Sequence, residues 1–511
     1  MTTAPEYILA IDQGTTGSTA AIIDRNGAII ASSNQEFKQY FPQPSWVEHD
    51  PEDIWQSVRT TVQTVLSKQQ VDPIQIVGLG ITNQRETVLC WDRASSVAYG
   101  KAIVWQDRRT ADRCLVLREQ GHHHTVHQKT GLQLDPYFSA TKIEWLLNND
   151  PAALQKAKDN ALCVGTVDSY LIYRLSSGDH HVTDLSNASR TMLLNIHDGT
   201  WDDTLLNLFS ISEDVLPKIV PNTGCIAMTC GIDFLPDGIP ICGIAGDQQA
   251  ALFGQACVKR GDAKCTYGTG AFALVHAGDQ VTIPGNGLLG TIAWQISQAD
   301  PIEYAIEGST FIAGAAVQWL RDGLNVIDDA AKIEALANQV NSSEGVTMIP
   351  ALSGLAAPYW DPNATGAILG ITRGTNRSHI ARATLEGIAL RVTELLTCIA
   401  KELNTSLSKL KVDGGAAKNN LLMQIQADYA GLTIHRPTQL ESTVRGAAFL
   451  AGIGIGWWTK DTLPVETATD GNMLASNTFD PTLSPKERAT ILSHWQSQVQ
   501  RILSNKQSQP V

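Results

Sequence analysis

Apolar and polar positions alternate with strand spacing at the start of the chain and change to helical spacing near residue 50. "YILAIDQGTTGSTAAIIDRNGAIIASSNQEF" reads as strand, tight turn, strand, Asn26-Gly27 turn, strand. Asn-Gly between two apolar runs is a strong hairpin signal, because both residues tolerate the positive φ that such turns need. "HDPEDIWQSVRTTVQTVLSKQQ" then predicts a helix, with Asp50 as N-cap and Pro51 in the first helical position. Glu52 and Asp53 complement the dipole of its first turn. The strand "IQIVGLGITNQ" follows, so the order is a three-strand meander, a helix, and a new strand joining the sheet.

The second half carries an echo. "DAKCTYGTGAFALVHAG" is again strand, Gly-Thr-Gly turn, strand. After it come "GLLGTIAWQI", an apolar helix around "STFIAGAAVQWLRDGL", and later "KLKVDGGAAKNNLLMQIQADYAG". Two halves that each open on a Gly/Thr hairpin predict a duplicated α/β unit facing a cleft. The boundary is expected where "QACVKRGDAK" turns polar, which divides the chain into residues 1–256, 257–500 and a polar tail at 501–511. The stretch after Pro481 is polar and is expected to end in a frayed tail.

Bulk properties narrow the options. At 511 residues the chain is too long for one core. A 43% hydrophobic and 17% charged composition fits a globular protein with a large interior. A formal charge of −13 argues against a nucleic-acid surface, which needs clustered Lys and Arg. An anionic ligand would therefore be held locally, by backbone N–H groups or a metal ion. The nine cysteines include no C-x-x-C pair, which reads as reduced thiols in the cytoplasm. "MTTAPEYILAID" shows no signal peptide, and Ile239 to Val258, interrupted by Pro240, Asp247, Gln248 and Gln249, is a poor membrane span.

Four stretches carry candidate chemistry. In "AIDQGTTGST", Asp12 ends a strand, and the turn at Gly14, Thr15 and Thr16 can aim N–H groups and hydroxyls at one anion. Asp12 is placed to hold Mg2+ beside phosphate oxygens; an ordinary hairpin is the bland alternative. "YGTGAFAL" repeats the device at Gly268, Thr269 and Gly270. Two opposed phosphate hairpins with a carboxylate nearby describe the cleft of an actin-like (ribonuclease H-like) ATPase fold. "VDGGAAKNN" runs from a strand through Asp413, Gly414 and Gly415 into a helix, and lets a nucleotide approach the backbone. It matches neither the P-loop nor the G-x-G-x-x-G pattern. In "GIAGDQQAALFG", Asp247 stands at the end of an apolar strand. It is either the N-cap of the following helix or a general base for a substrate hydroxyl.

Together these stretches resemble the FGGY carbohydrate kinases over nearly the whole chain. "YFSATKIEWLLNN" (137–149) and "GAILGITRGTNRSHIARATLE" (366–386) are similar to the two family signatures, and "GITNQRET" and "AIVWQ" are further motifs of the family. The resemblance implies two actin-like domains about a central cleft, and transfer of the γ-phosphoryl of MgATP to a terminal hydroxyl of glycerol. On the substrate side it implies Arg85 and Glu86 on the glycerol hydroxyls, Asp247 and Gln248 at the reacting hydroxyl, and Trp105, Tyr137 and Phe272 as apolar walls. On the nucleotide side it implies Thr15, Thr16 and Thr269 at the phosphates, Gly314, Gln318, Gly415 and Asn419 at adenosine, and Asp12 beside the magnesium. Glycerol and ATP would thus lie in the N- and C-terminal domains respectively. A homodimer or homotetramer is implied in the same way. A pentulose, pentitol or erythritol kinase of the family would share Asp247 and the hairpins but differ at Arg85, Glu86, Trp105 and Phe272.

The chain departs from the pattern at Gly17-Ser18-Thr19, where many relatives have Ser-Ser-Arg, which puts one phosphate contact in doubt. "DFLPDGIPICG" lacks the Arg of the loop with which some relatives bind fructose 1,6-bisphosphate, so that effector is not expected to act. His122–His124 reads as a solvated turn rather than a metal cluster.

Overall fold

The computed structural model describes residues 5–464 and 477–504. β1 (Tyr7–Gln13), β2 (Gly17–Ile23) and β3 (Ile29–Glu36) form the expected antiparallel meander. Helix α1 (Pro51–Gln69) returns the chain so that β4 (Ile76–Asn83) lies parallel to β1, as a parallel neighbour requires a crossover. Asp50 caps α1 by accepting from the Glu52 N–H, and Ile54, Val58, Val62 and Val65 pack on Leu9, Ile11, Ala20 and Ile22. β5 (Thr223–Met228) and β6 (Pro240–Gly246) complete a six-stranded sheet ordered β5-β6-β4-β1-β2-β3, with β6 parallel to β4.

Helix α2 (Asp247–Gly254) leads to the second sheet. Its strands are β7 (Ala263–Tyr267), β8 (Ala271–Gly278), β9 (Leu289–Trp294) and β10 (Glu303–Thr310). After α3 (Gly314–Asp322) and the long α4 (Arg377–Glu402) come β11 (Lys409–Asp413), α5 (Asn420–Ala430), β12 (Thr433–His435), α6 (Ser442–Gly454), β13 (Thr478–Phe479) and α7 (Pro485–Val499). The order is β9-β10-β8-β7-β11-β12-β13. The first sheet's plan recurs: an antiparallel hairpin (β7, β8), a third antiparallel strand (β10), and two parallel strands on the other side (β11, β12).

The structure departs from these expectations at several places. "GLLGTIAWQI" supplies β9, an edge strand outside β10, so it is an insertion into the repeated plan. The helix expected from Ser309 starts at Gly314, because Ser309 and Thr310 still pair with Phe272 and Ala271. The segment after Pro481 forms α7, which opens on a Ser484/Glu487 capping box and buries Trp495 and Val499 against Leu390 and Ile349. Of the tail at 501–511, Ser504 donates to Asp361 from both its hydroxyl and its N–H, and residues 505–511 lie outside the described residues. His123 begins a helix, His123–Thr130, and is not part of a preceding turn.

The two sheets are joined by packed helices. α6, from late in the chain, lies across the first sheet, its Val444, Ala447, Ala448 and Ala451 clustered with Ile8, Ala10 and Cys242. Glycines make this approach: a Cβ at Gly80 would lie 2.3 Å from the Ala447 carbonyl oxygen, and one at Gly446 would lie 1.8 Å from that of Ala250 on α2. A smaller five-stranded sheet (Gln39–Tyr40, Glu48–His49, Ala102–Ile103, Val88–Asp92, Leu162–Thr166) flanks the first and packs on the helix Ser139–Asn149.

Candidate active site

In the first sheet β1, β4 and β6 run parallel with their ends level: Asp12 pairs with Thr82, Gln13 with Asn83, and Gly246 with Asn83. Asp12, the turn from Asn83 to Glu86, and Asp247 therefore leave one edge, the carboxyl ends where open α/β sheets bind ligands. In the second sheet Thr266 pairs with Asp413, which brings the Gly268–Gly270 hairpin beside Gly414.

The run Asn83-Gln84-Arg85-Glu86 divides between scaffold and site. Asn83 exchanges amide hydrogen bonds with Asn187 at 3.1 and 3.0 Å, and Asn187 is anchored by Asp184. Gln84 Nε2 donates to Gln13 Oε1 at 3.0 Å and lies 3.2 Å from His49 Nδ1. Glu86 is held at φ +62, a left-handed conformation unfavourable for a side chain with a Cβ. Ser139, at the start of its helix, stabilises the turn by donating to the Glu86 carbonyl at 3.0 Å.

Arg85 and Glu86 are not a simple ion pair. Their nearest charged atoms lie 3.8 Å apart, and each has a closer partner from elsewhere. Arg190 Nε donates to Glu86 Oε1 at 2.7 Å and its Nη2 to Glu307 Oε1 at 3.1 Å. Arg85 Nη1 donates to Glu307 Oε2 at 2.7 Å and to Gln249 Oε1 at 3.2 Å. The result is a buried ring of alternating charge in which Glu307 reaches over from β10 of the second sheet. Burial would raise the Glu307 carboxyl, but Arg190 and Arg85 outweigh it and hold it down at about 2. For Glu86 burial wins over Arg85 and Arg190, and its carboxyl is raised.

Asp247 completes the cluster, with Oδ1 3.1 Å from Arg85 Nε. It is the first residue of α2 and not its N-cap, which is Gly246. Its carboxylate is thus directed toward Arg85. Burial raises the Asp247 carboxyl, against the pull of Arg85, the Gln248 N–H and Lys264. Gln248 Oε1 accepts from Lys264. Lys264, Gln249, Arg190 and Glu307 were not singled out from the sequence. The available signal was a charge inside an apolar strand, as in "EYAIEGST" for Glu307.

The aromatic residues form a wall beside the ring. Trp105 and Tyr137 meet edge to face at 5.6 Å, and the Arg190 guanidinium lies 5.8 Å from the Tyr137 ring centroid. Buried Lys142 fixes the wall by donating to the carbonyls of Tyr137 at 2.9 Å and Val104 at 3.4 Å. Trp105 Nε1 also donates to Thr15 Oγ1 at 2.9 Å, which ties the wall to the first hairpin. Phe272 is half-buried on β8, opposite Thr266 and Ser309.

The residues expected at the nucleotide gather at the other hairpin. The Thr269 carbonyl accepts from the N–H groups of Ala313 and Ala315, and the Gly268 carbonyl from that of Gly314. A Cβ at Gly314 would lie 2.6 Å from the Gly268 oxygen and 3.9 Å from Ala416 Cβ. A Cβ at Gly414 would lie 2.5 Å from the Tyr267 oxygen. Hairpin, α3 and the 414–418 turn therefore converge. Thr269, Gln318 and Gly415 are exposed, with open space at Gly415. Asn419 uses Oδ1 to cap α5 at the Leu422 N–H, which leaves its Nδ2 for other partners. On the first hairpin Thr15 is half-buried and Thr16 exposed.

The Asp12 carboxylate accepts no hydrogen bond from the described residues, although its backbone is paired in the sheet. Burial, then the nearby charges of Asp247 and Glu441, push its carboxyl up to about 8. No three His, Cys, Asp or Glu side chains among the described residues gather closely enough to hold a metal by themselves, so a magnesium ion at Asp12 would take its other oxygens from water and phosphate.

A two-lobed cleft with a hairpin in each lobe and an acid between them defines the class, the kinases on the actin-like fold. The FGGY family of carbohydrate kinases matches through its N-terminal domain at residues 7–254 and its C-terminal domain at residues 263–455, and the chain belongs to this family. It is 50% identical over 496 residues to the glycerol kinase of Bdellovibrio bacteriovorus, covering 97% of this chain and 99% of that one. It is 47% identical to the glycerol kinase of Oceanobacillus iheyensis, covering 98% and 99%. The structure of Plasmodium falciparum glycerol kinase with ADP superposes with a TM-score of 0.90 at 34% identity, covering 98% and 99%. A ligand-bound xylulose kinase from Lactobacillus acidophilus, at 22% identity, shares the fold with a TM-score of 0.82 over 96% of each chain.

Proposed function

We propose that this protein is an ATP-dependent glycerol kinase, which transfers the γ-phosphoryl group of ATP to a terminal hydroxyl of glycerol and forms sn-glycerol 3-phosphate and ADP. The observation that carries it is the buried ring Arg85–Glu307–Arg190–Glu86 set against Asp247. A guanidinium supplies fixed donors and a carboxylate supplies acceptors, while each hydroxyl of a triol does both. Held by their counterions, Arg85 and Glu86 lose little freedom when the substrate arrives.

Asp247 accepts the proton of the reacting hydroxyl as the new O–P bond forms. An alcohol is too weak an acid to ionise first, so the carboxylate chiefly orients the nucleophile. Thr15, Thr16 and Thr269 hold the phosphates, and Gly314, Gln318, Gly415 and Asn419 take adenosine. Asp12 would hold Mg2+, whose charge screens the phosphate oxygens. Closing the two lobes over the bound substrates excludes water from the transfer. We place the activity in the cytoplasm, in keeping with nine free thiols. No helix among the described residues is long and apolar enough to cross a membrane.

A coupled ADP-release assay with MgATP across glycerol, xylulose, ribulose and pentitols tests the assignment. Glycerol should give the highest kcat/KM; a ketose that outruns it would overturn the substrate. A second run with fructose 1,6-bisphosphate should leave the glycerol rate unchanged.

A further inference from the structure

The proposed mechanism gives no role to a buried lysine beside the acceptor site. Lys264, on β7, is 0% exposed. Its ammonium donates to Gln248 Oε1 and, at 3.0 Å, to Thr266 Oγ1, both neutral oxygens. Burial lowers its pKa, and no carboxylate among the described residues contacts the ammonium: Asp413 and Asp247 attract it only through space. The fold therefore bears a desolvation penalty here that a methionine would not impose.

What the charge provides follows from donor chemistry. A lysine only donates, so it can bind the Gln248 amide only through its oxygen. The Nε2 hydrogens must then face away from Lys264. Gln248 is half-buried, directly after Asp247 at the start of α2. An ionised Asp247 only accepts. We propose that Lys264 is a positioning residue which locks the Gln248 amide as a one-way donor beside Asp247. A hydroxyl entering between them then has a single orientation, its lone pair on Gln248 and its proton on Asp247, which leaves the second lone pair to attack phosphorus. Without Lys264 the amide can turn over and present oxygen, and the hydroxyl can spend its proton on the wrong partner. The bond to Thr266 fixes the ammonium from the strand that leads into the second hairpin. This inference rests on the proposed kinase reading.

The test is steady-state kinetics on the full-length protein, wild type beside Lys264→Met, Gln248→Met and the double variant, with thermal unfolding of each. Lys264→Met should melt no lower than wild type, because a buried charge has been removed. Its kcat with glycerol should fall about 10- to 100-fold with the ATP KM changed less than about twofold, as expected when only orientation is lost. Because Lys264 acts through Gln248, the double variant should be no slower than Gln248→Met alone. Lys264→Arg, which keeps the donors, should recover most of the turnover. Unchanged turnover in Lys264→Met, or losses that simply add in the double variant, would overturn the proposal. If Lys264→Met does not fold, Gln248→Met decides: it should lose at least about tenfold in kcat, and wild-type turnover there overturns the idea. A wild-type protein that does not phosphorylate glycerol refutes the proposed function instead, and the same variants are then read with the polyol it does accept.

Discussion

Asp247 and Glu307 lie in the same charge cluster but predict opposite kinetic signatures. Asp247→Asn removes the proton acceptor and keeps the shape, so kcat should fall about 10²- to 10⁴-fold with the glycerol KM little changed. Normal turnover in that variant would remove Asp247 from its role. Glu307→Gln leaves Arg85 and Arg190 without their shared counterion, and Arg85 can then swing onto Asp247 or Glu86. The glycerol KM should rise about tenfold or more, with a smaller effect on kcat, in the same assay. Arg85, Glu86 and Asp247 were readable from their motifs because each lies in a distinctive local string. Arg190 and Glu307 were not, since their meaning depends on partners 104 to 222 positions away along the chain.

At the level of elements, the junction of α2 and α6 decides whether the sheets keep their relation. The helices touch backbone to backbone, with a Cβ at Gly254 only 2.0 Å from the Ser442 carbonyl oxygen and one at Gly446 only 1.8 Å from that of Ala250. Rigid backbone cannot yield as a side-chain tip does. Gly446→Ala should cost about 3 kcal/mol, read as a lower melting temperature, and reduce turnover, because α2 begins with Asp247. Near-wild-type melting and turnover would show that the helices can separate freely. Trp105→Phe probes a different link. It keeps an apolar ring but loses the N–H bonded to Thr15. The KM for ATP should therefore rise severalfold along with that for glycerol. A change confined to glycerol would mean that the two sites do not communicate through this bond.

Across the whole molecule, stability should depend on pH through a buried pair of acids. Asp168 accepts from Thr166 and Thr183. Burial first, then the charge of Asp184, raises its carboxyl from 3.8 to about 7. The folded chain thus binds a proton that the unfolded chain releases near pH 4. This contribution is fully present below the unfolded value and is lost as pH rises through about 7. His49 and His181, whose values burial pushes down to about 4, act in the opposite sense below about pH 6.5. The Asp168 contribution is therefore read by difference. Between pH 5 and pH 8 the melting temperature of wild type should fall relative to that of Asp168→Asn by the equivalent of about 1–3 kcal/mol. A difference that stays constant with pH would show that Asp168 is ionised in the fold.

The sequence by itself determined the hairpins, α1 with its cap, the paired Gly/Thr turns and the family, because these are written in neighbouring residues through turn chemistry, periodicity and local motifs. It misplaced the start of α3 and did not foresee the edge position of β9 or the packing of α7. In each of these, pairing with a distant strand or burial against a distant helix outweighed local preference. Only the tertiary structure decided that Arg85 answers to Glu307, that Asp247 faces a guanidinium and does not cap its own helix, and that a lysine is buried beneath the acceptor site. Charges interact across space, and the chain brings these groups together only when the two sheets face each other.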